Sequence, residues 1–498
     1  MPTNTYDIVV LGDELSGLIA ATLCATRGYR VALIPGESVP TSYKHGEFNL
    51  PVEPFSMIGL DSPAITRAVD ELHFTHLLRR KLRPTRIPFQ LVTPTARIDV
   101  DSDDVVLLRE LDRELPTGEE GFDRTRRAAD VGRGLDALFS SEATVPATSY
   151  RAKRDATKLL TSLEAAARGL LESEPSELMR ILWGAPAAFS SALWYEQQPA
   201  VTRLRAFDMW RQGAPRLEGQ VGGLRELLVD KFLSHGGELL DDRPVELTYS
   251  WGKVSGVVTR GSGELGAGQV IAAMPIDELA ILVGKKGEKK LEASAADFEQ
   301  AGYRYTLNIV VDESGVPEGM GETVLAIAES DEPLVGGNLL AIFVGEPDDR
   351  ARVVVTVSAI CPAPADTSHL DAEFANLRVA VRESLEKVMP FVGQHTLLVH
   401  SPHESLPAEG REARNNGAIS KPIAPRPVWR RTSELEGGEV LGALPYQPGL
   451  KNLVMACEQV LPSLGLEGQF AIGLSAAKLA SAGIGKRKSP KGEVLARG

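Results

Sequence analysis

The most regular stretch of the chain is its first 35 residues. An apolar run from Tyr6 to Leu11 leads into a glycine turn, small and apolar positions follow from about Leu15 to Arg27, and after Gly28 a second apolar run covers Arg30 to Ile34. Short unalternating apolar runs of this kind predict strands buried on both faces, and the segment between them predicts a helix closed by Gly28 in the left-handed region. Together they predict a β-α-β unit of parallel sheet.

Further on, the pattern changes twice. From Thr117 to Leu178 it is charged and alanine-rich, with helical periodicity over Arg124 to Phe139 and Lys153 to Leu171, which predicts an inserted helical lobe. A helix over Arg225 to His235, stopped by Gly236-Gly237, precedes strand-like Pro244 to Tyr249, Val254 to Thr259 and Gln269 to Met274, a meander expected to return to the first sheet. Strand-like runs then recur at Tyr305 to Val311, Thr323 to Ile327, Leu339 to Val344 and Val353 to Ile360. They predict an antiparallel sheet covered by a helix near Leu370 to Val388. A last strand, Asn452 to Ala456, and a helix from Gly468 to Ala482 complete the reading.

Composition narrows the function. The chain has 498 residues, 43% hydrophobic and 24% charged, which is ordinary for a globular protein and long enough for more than one lobe. Its net charge of −13, from 67 acidic against 54 basic residues, opposes nucleic-acid binding. Three scattered cysteines, Cys24, Cys361 and Cys457, offer neither a disulfide framework nor a zinc set. The start of the chain has no basic and apolar leader pattern, and no run is long enough to span a bilayer, so a cytoplasmic protein is expected. A basic segment with Lys486, Arg487, Lys488, Lys491 and Arg497 leaves peripheral membrane contact open beside the plainer reading of a solvated tail.

The candidate chemistry begins at the first turn. In a dinucleotide-binding β-α-β unit, G-x-G-x-x-G lets backbone N–H groups at the helix start meet a pyrophosphate, and an acid after the second strand holds the ribose. Here Gly12 and Gly17 stand at the first and third positions, Glu14 replaces the middle glycine, and Pro35 stands at the acidic position. Glu14 puts a side chain and a charge where the diphosphate would lie, and proline accepts no ribose hydrogen bond. Without a ligand, the same unit reads as a doubly wound fold in which Gly17 serves helix–sheet packing.

Three blocks of sequence resemble the FAD-dependent amine oxidase and phytoene desaturase group of flavoproteins. The first runs from Tyr6 through Gly17. The second comprises Gly222-Gly223-Leu224, Gly236-Gly237-Glu238-Leu239, Arg243-Pro244-Val245-Glu246-Leu247 and Val270 to Pro275. The third runs from Lys451 to Glu458 and from Gly465 to Phe470. The resemblance implies a two-lobed, Rossmann-like α/β fold of glutathione-reductase type, with an interleaved substrate domain that contains the antiparallel sheet and the helical insert. It implies FAD held by Gly12, Glu14, Leu15, Ser16 and Gly17 at the pyrophosphate and by Pro35 at the ribose position. Val245 would hold the adenine through its backbone, Glu458 the ribityl region, and Glu467, Gly468 and Gln469 the flavin. Cys457 stands where the family has glycine. A cofactor segment is expected over 1–90, 216–285 and 436–484, a helical substrate lobe over 91–215, the sheet-bearing substrate domain over 286–435, and the basic tail over 485–498.

Other constellations add little. The eight histidines form no H-E-x-x-H, and no metal site is expected. His400-Ser401-Pro402-His403-Glu404 reads as a solvated surface loop, and Trp210 as core packing rather than pocket lining. No G-x-S-x-G or P-loop occurs. The leading expectation is an FAD-dependent oxidoreductase that moves hydride from an apolar or amine-bearing small molecule to the flavin, with no side-chain nucleophile. The rival is a cofactor-free relative, resembling GDP-dissociation inhibitors, that binds a lipid or a protein.

Overall fold

In the computed structural model, residues 4–36, 39–413, 421–432, 440–441 and 444–484 are described. The opening unit is a strand Asn4–Leu11, a helix Leu15–Thr26 and a strand Val31–Ile34; Ile8 to Leu11 and the whole of Val31–Ile34 are buried. The two strands pair in parallel, Val10 beside Leu33. On the other side of Asn4–Leu11 lies the strand Gly263–Ala272, again parallel, with Val9 beside Val270. The last strand, Leu453–Met455, adds to Gly263–Ala272, while Pro244–Ser250 and Lys253–Thr259 form the expected meander on its outer side. Three distant parts of the chain therefore meet in one sheet, ordered from the edge strand Pro244–Ser250 inward to Asn4–Leu11 and out to Glu238–Leu239.

The second sheet is larger than the sequence pattern suggests. Its central strand, Phe298–Asp312, pairs antiparallel with Arg352–Pro362, Thr396–His400 and Pro427–Arg431. Thr323–Ile327 and Leu339–Val344 continue it, and the early strands Phe89–Val92 and Arg97–Val100 close the far edge. Thr323–Ile327 and Phe89–Val92 run parallel, so the sheet is mixed rather than purely antiparallel. Helix Leu370–Val388 covers one face through Phe374, Leu377, Val381 and Leu385, as its spacing predicts.

The helical lobe contains Asp104–Glu114, Gly118–Arg133, Asp136–Phe139 and Tyr150–Ser173, then two helices missing from the sequence reading, Glu177–Ser190 and Ala200–Gln212. The last of these is buried on nearly all sides, so its sequence carries little amphipathic signal. The histidine segment is a correction: His400, Ser401, His403 and Glu404 are buried, not solvated. His400 ends the edge strand Thr396–His400 and packs its ring on those of Tyr43 and His45, and Glu404 pairs with Arg378 at 2.7 Å, which makes burial tolerable. The basic tail lies outside the described residues. No helix among the described residues is long and apolar enough to cross a membrane.

Candidate functional site

The carboxyl ends of Asn4–Leu11 and Gly263–Ala272 bound the crevice where an open α/β sheet takes its ligand. Gly12 has φ +92°, and a Cβ there would stand 2.1 Å from the Ala273 carbonyl oxygen. A Cβ on Gly17 would stand 2.1 Å from the Ala273 Cβ. Contact with Ala273 thus demands both glycines, whether or not a ligand is present.

Between them, Glu14 has the ordinary extended backbone of a helix N-cap, φ −55° and ψ 145°, so the missing glycine causes no strain. Its carboxylate crosses the turn to accept the Glu458 backbone N–H at 2.6 Å. Ser16 closes the rest of the helix start: its N–H donates to Gln469 Oε1 at 3.0 Å and its hydroxyl to the Ala456 carbonyl at 2.5 Å. Leu15 packs in the core, and Asp13 is paired with Arg225 at 2.7 Å. The structure therefore brings together Gly12, Glu14, Leu15, Ser16, Gly17, Glu458 and Gln469. In doing so it consumes two donors that an anion would need, the N–H groups of Ser16 and Glu458.

The charges round the turn are mostly acidic. Burial, and next the Glu458 carboxylate, push the Glu14 carboxyl up to about 8, against the pull of the Glu458 N–H and of Arg426. Arg426 lies 4.0 Å from Glu458 and 3.8 Å from Glu53, and both carboxylates raise its pKa. Behind it, Arg304 is buried, and its pKa is lowered to about 10 first by desolvation and then by Arg426.

The remaining predicted residues lie elsewhere. Pro35 follows the strand Val31–Ile34 beside the turn, where the Ile34 carbonyl takes the Gly12 N–H at 2.9 Å. Val245 is 46% exposed on the edge strand at the far side of the sheet, with three strands between it and Val31–Ile34. The strand that does lie beside Val31–Ile34 carries Leu239, opposite Leu33. The final helix opens at Gly465, three residues before the expected Gly468. A Cβ on Gly465 would meet the Ser190 carbonyl at 1.9 Å, so the end of the helical lobe covers this helix start. Glu467 is fully buried and bidentate with Arg205, at 2.6 and 3.1 Å, and also takes the Ser62 hydroxyl. Arg205 in turn holds Asp136 at 2.6 Å. Glu467 therefore ties the last helix to the helical lobe. The sequence reading missed Arg205, and a buried arginine in a helix without periodicity gives no local sign of its partner.

Packing fills the space between these parts. The Ala192 N–H donates to the Pro462 carbonyl and the Trp429 N–H to the Ala192 carbonyl, both at 2.7 Å. Trp210 is buried against Phe89 at 5.6 Å and donates to Ser190 Oγ at 2.7 Å. Two small cavities, one beside Ala64, Phe139 and Ala471 and one beside Ile309, Leu385 and Val392, are lined by no residue of the glycine turn and not by Glu458. The side chains at the turn thus do not fit a conventionally seated dinucleotide, because the Ser16 and Glu458 N–H groups it would use already have partners within the chain. No metal-holding group of three or more ligands exists among the described residues.

No protein-family model matches the chain, and no curated protein does. Solved structures do match. An oxidoreductase from Methanosarcina mazei superposes with a TM-score of 0.60 at 13% identity, over 95% of this chain and 99% of that one. Putrescine oxidase bound to putrescine gives 0.59 at 16%, over 96% and 99%. Cyclohexylamine oxidase from Brevibacterium oxydans gives 0.57 at 15%, over 95% and 98%. Nearly the whole chain thus has the fold of the amine oxidases, with a dinucleotide turn closed by its own side chains.

Proposed function

We propose that this protein is a cofactor-free member of the two-lobed flavoprotein fold, of glutathione-reductase type, which binds another molecule instead of transferring hydride. One observation carries the reading: the Glu14 carboxylate occupies the Glu458 N–H at 2.6 Å, where an incoming diphosphate would need that donor and would meet a carboxyl group. The test is direct. Purified protein is expected to lack flavin absorbance near about 450 nm, and added FAD to leave its melting temperature unchanged. Stoichiometric yellow flavin in the purified protein overturns the reading.

The second reading is an FAD-dependent oxidoreductase acting on an amine-bearing or apolar small molecule. It is favoured by buried polar atoms without partners: both ring nitrogens of His45, in the separate hairpin strand Ser42–His45, and Thr306 Oγ1 and Arg304 Nε on the central strand of the second sheet. A bound polar guest would satisfy such groups, which are costly to bury unpaired. In that case FAD would supply the redox chemistry, and the Glu14 side chain would have to leave the Glu458 N–H first. A rise in melting temperature with FAD that Glu14→Gly enlarges supports this second reading.

A further inference from the structure

The hairpin Ser42–His45 and Phe48–Pro51 alternates along its length: Tyr43, His45, Phe48 and Leu50 are buried, whereas Ser42, Lys44 and Asn49 are exposed. Such a ribbon lays one face on a larger body. Here the body is the second sheet, where Tyr43, Phe48 and Leu50 pack with Val310, Leu397 and Leu398. The hairpin shares no backbone ladder with that sheet, and a two-stranded hairpin is marginal by itself, so its side-chain contacts hold it in place. One inward side chain is costly. His45 is 1% exposed, and neither ring nitrogen has a partner.

His45 lies against a second imidazole, that of His400, with 4.7 Å between ring centroids. His400 Nδ1 meets the Tyr43 hydroxyl at 2.9 Å. Asn308 Nδ2 donates to the same hydroxyl at 3.2 Å and to the Pro51 carbonyl at 2.8 Å. The charge that faces the pair from helix Leu370–Val388 is another cation, Arg378, held by Glu404 at 2.7 Å and Glu409 at 3.1 Å. His403, in the following loop, meets the Ile423 carbonyl at 2.9 Å and the Tyr305 ring at 6.3 Å. On the hairpin itself Lys44 is exposed, and Glu47 at the tip pairs with Arg350 at 3.0 Å and Arg352 at 2.6 Å. Among the described residues, neither imidazole of the pair has an ion-pair partner.

We propose that His45 and His400 form an acid-sensitive latch, whose protonation frees the hairpin 42–51 from the second sheet while the rest of the chain stays folded. Neutral imidazoles pack dry against each other, but protonated ones put like charges together in a buried place already faced by Arg378. Burial holds both rings below their ordinary range, and His45 and Arg378 add to it at His400, which titrates at about 4. The latch is therefore closed above pH 6.5 and opens as pH falls towards 4. The sheet itself persists, because its central strand is paired through Gly302 to Asp312 with Arg352–Pro362. Opening turns Val310, Leu397 and Leu398 towards solvent, and it does so whether or not flavin binds.

Val310→Cys puts a thiol under the hairpin, and the three natural cysteines, all buried, serve as controls for global unfolding. The full chain is labelled with 4,4′-dithiodipyridine, with rates normalised to a small free thiol at each pH. The new thiol is expected to react at least about tenfold faster at about pH 4.5 than at about pH 7.5, with Cys24, Cys361 and Cys457 still protected. His45→Gln together with His400→Gln is expected to abolish that increase. Protection of the new thiol in acid overturns the proposal. So does simultaneous reaction of all the thiols, or acid opening that the paired histidine substitutions leave unchanged, as release through Glu47 would give. Deuterium exchange of residues 42–51 in chains that keep Val310, corrected for intrinsic rates at each pH, is read by the same criteria if Val310→Cys does not fold.

Discussion

Glu14 shows how one side chain changes the meaning of a motif. The sequence identifies it as an obstacle, by size and charge. The structure adds that it is a partner, because a carboxyl oxygen of Glu14 accepts the Glu458 N–H that a ligand would use. Its raised pKa gives a stability consequence. The folded state holds the Glu14 proton up to about 8, whereas the unfolded chain releases it near 4.5, so this contribution is present below pH 4.5 and is lost as pH rises through about 8. Glu14→Gln is expected to remove that loss, raising stability at pH 9 by about 2 kcal/mol relative to pH 5, after discounting for partial solvent contact. Thermal melts across that range check it. His400 behaves oppositely. Burial, then His45 and Arg378, lower its pKa to about 4, so stability is whole above pH 6.5 and falls as pH drops towards 4. His400 touches the Tyr43 hydroxyl at 2.9 Å, so His400→Gln is expected to keep that contact and flatten the acid limb of the stability curve.

At the level of elements, the opening strand–helix–strand unit was legible in the sequence within one or two residues, because buried parallel strands and a helix closed by Gly28 leave strong local patterns. Helix Ala200–Gln212 was not, because burial on every side erases the 3.6-residue period. That hidden helix carries Arg205, whose pairing with Glu467 fixes the last helix in place. Removing one partner strands a buried charge, so Arg205→Met alone is expected to cost about 3–5 kcal/mol in denaturant unfolding. Arg205→Met with Glu467→Leu is expected to recover part of that loss, although Asp136 and Ser62 would then lose a partner. The turn gives a second element-scale test. Gly17→Ala places a methyl group 2.1 Å from the Ala273 Cβ and is expected to destabilise by about 1–3 kcal/mol, and Ala273→Gly to rescue it, with no flavin present. A glycine kept only for a ligand would tolerate the alanine.

The whole molecule is interleaved: its first sheet draws on residues 4–34, 238–272 and 453–455, and the helical lobe is locked to the last helix through Glu467. Ending the chain after residue 435 removes Leu453–Met455 and the final helix together, and is expected to abolish the cooperative unfolding transition, as read by circular dichroism and denaturant titration. Local sequence determined the β-α-β opening, the odd residues of its turn and the amphipathic helix Leu370–Val388, because strand burial, helix periodicity and glycine conformation act over a few neighbours. Tertiary structure alone decided what those residues touch: Glu14 meets Glu458 across 444 positions, Ser16 meets Gln469 across 453, and Arg205 meets Glu467 across 262. Long-range pairs leave no period in the sequence. It takes the folded chain to separate an open ligand turn from one filled by its own side chains.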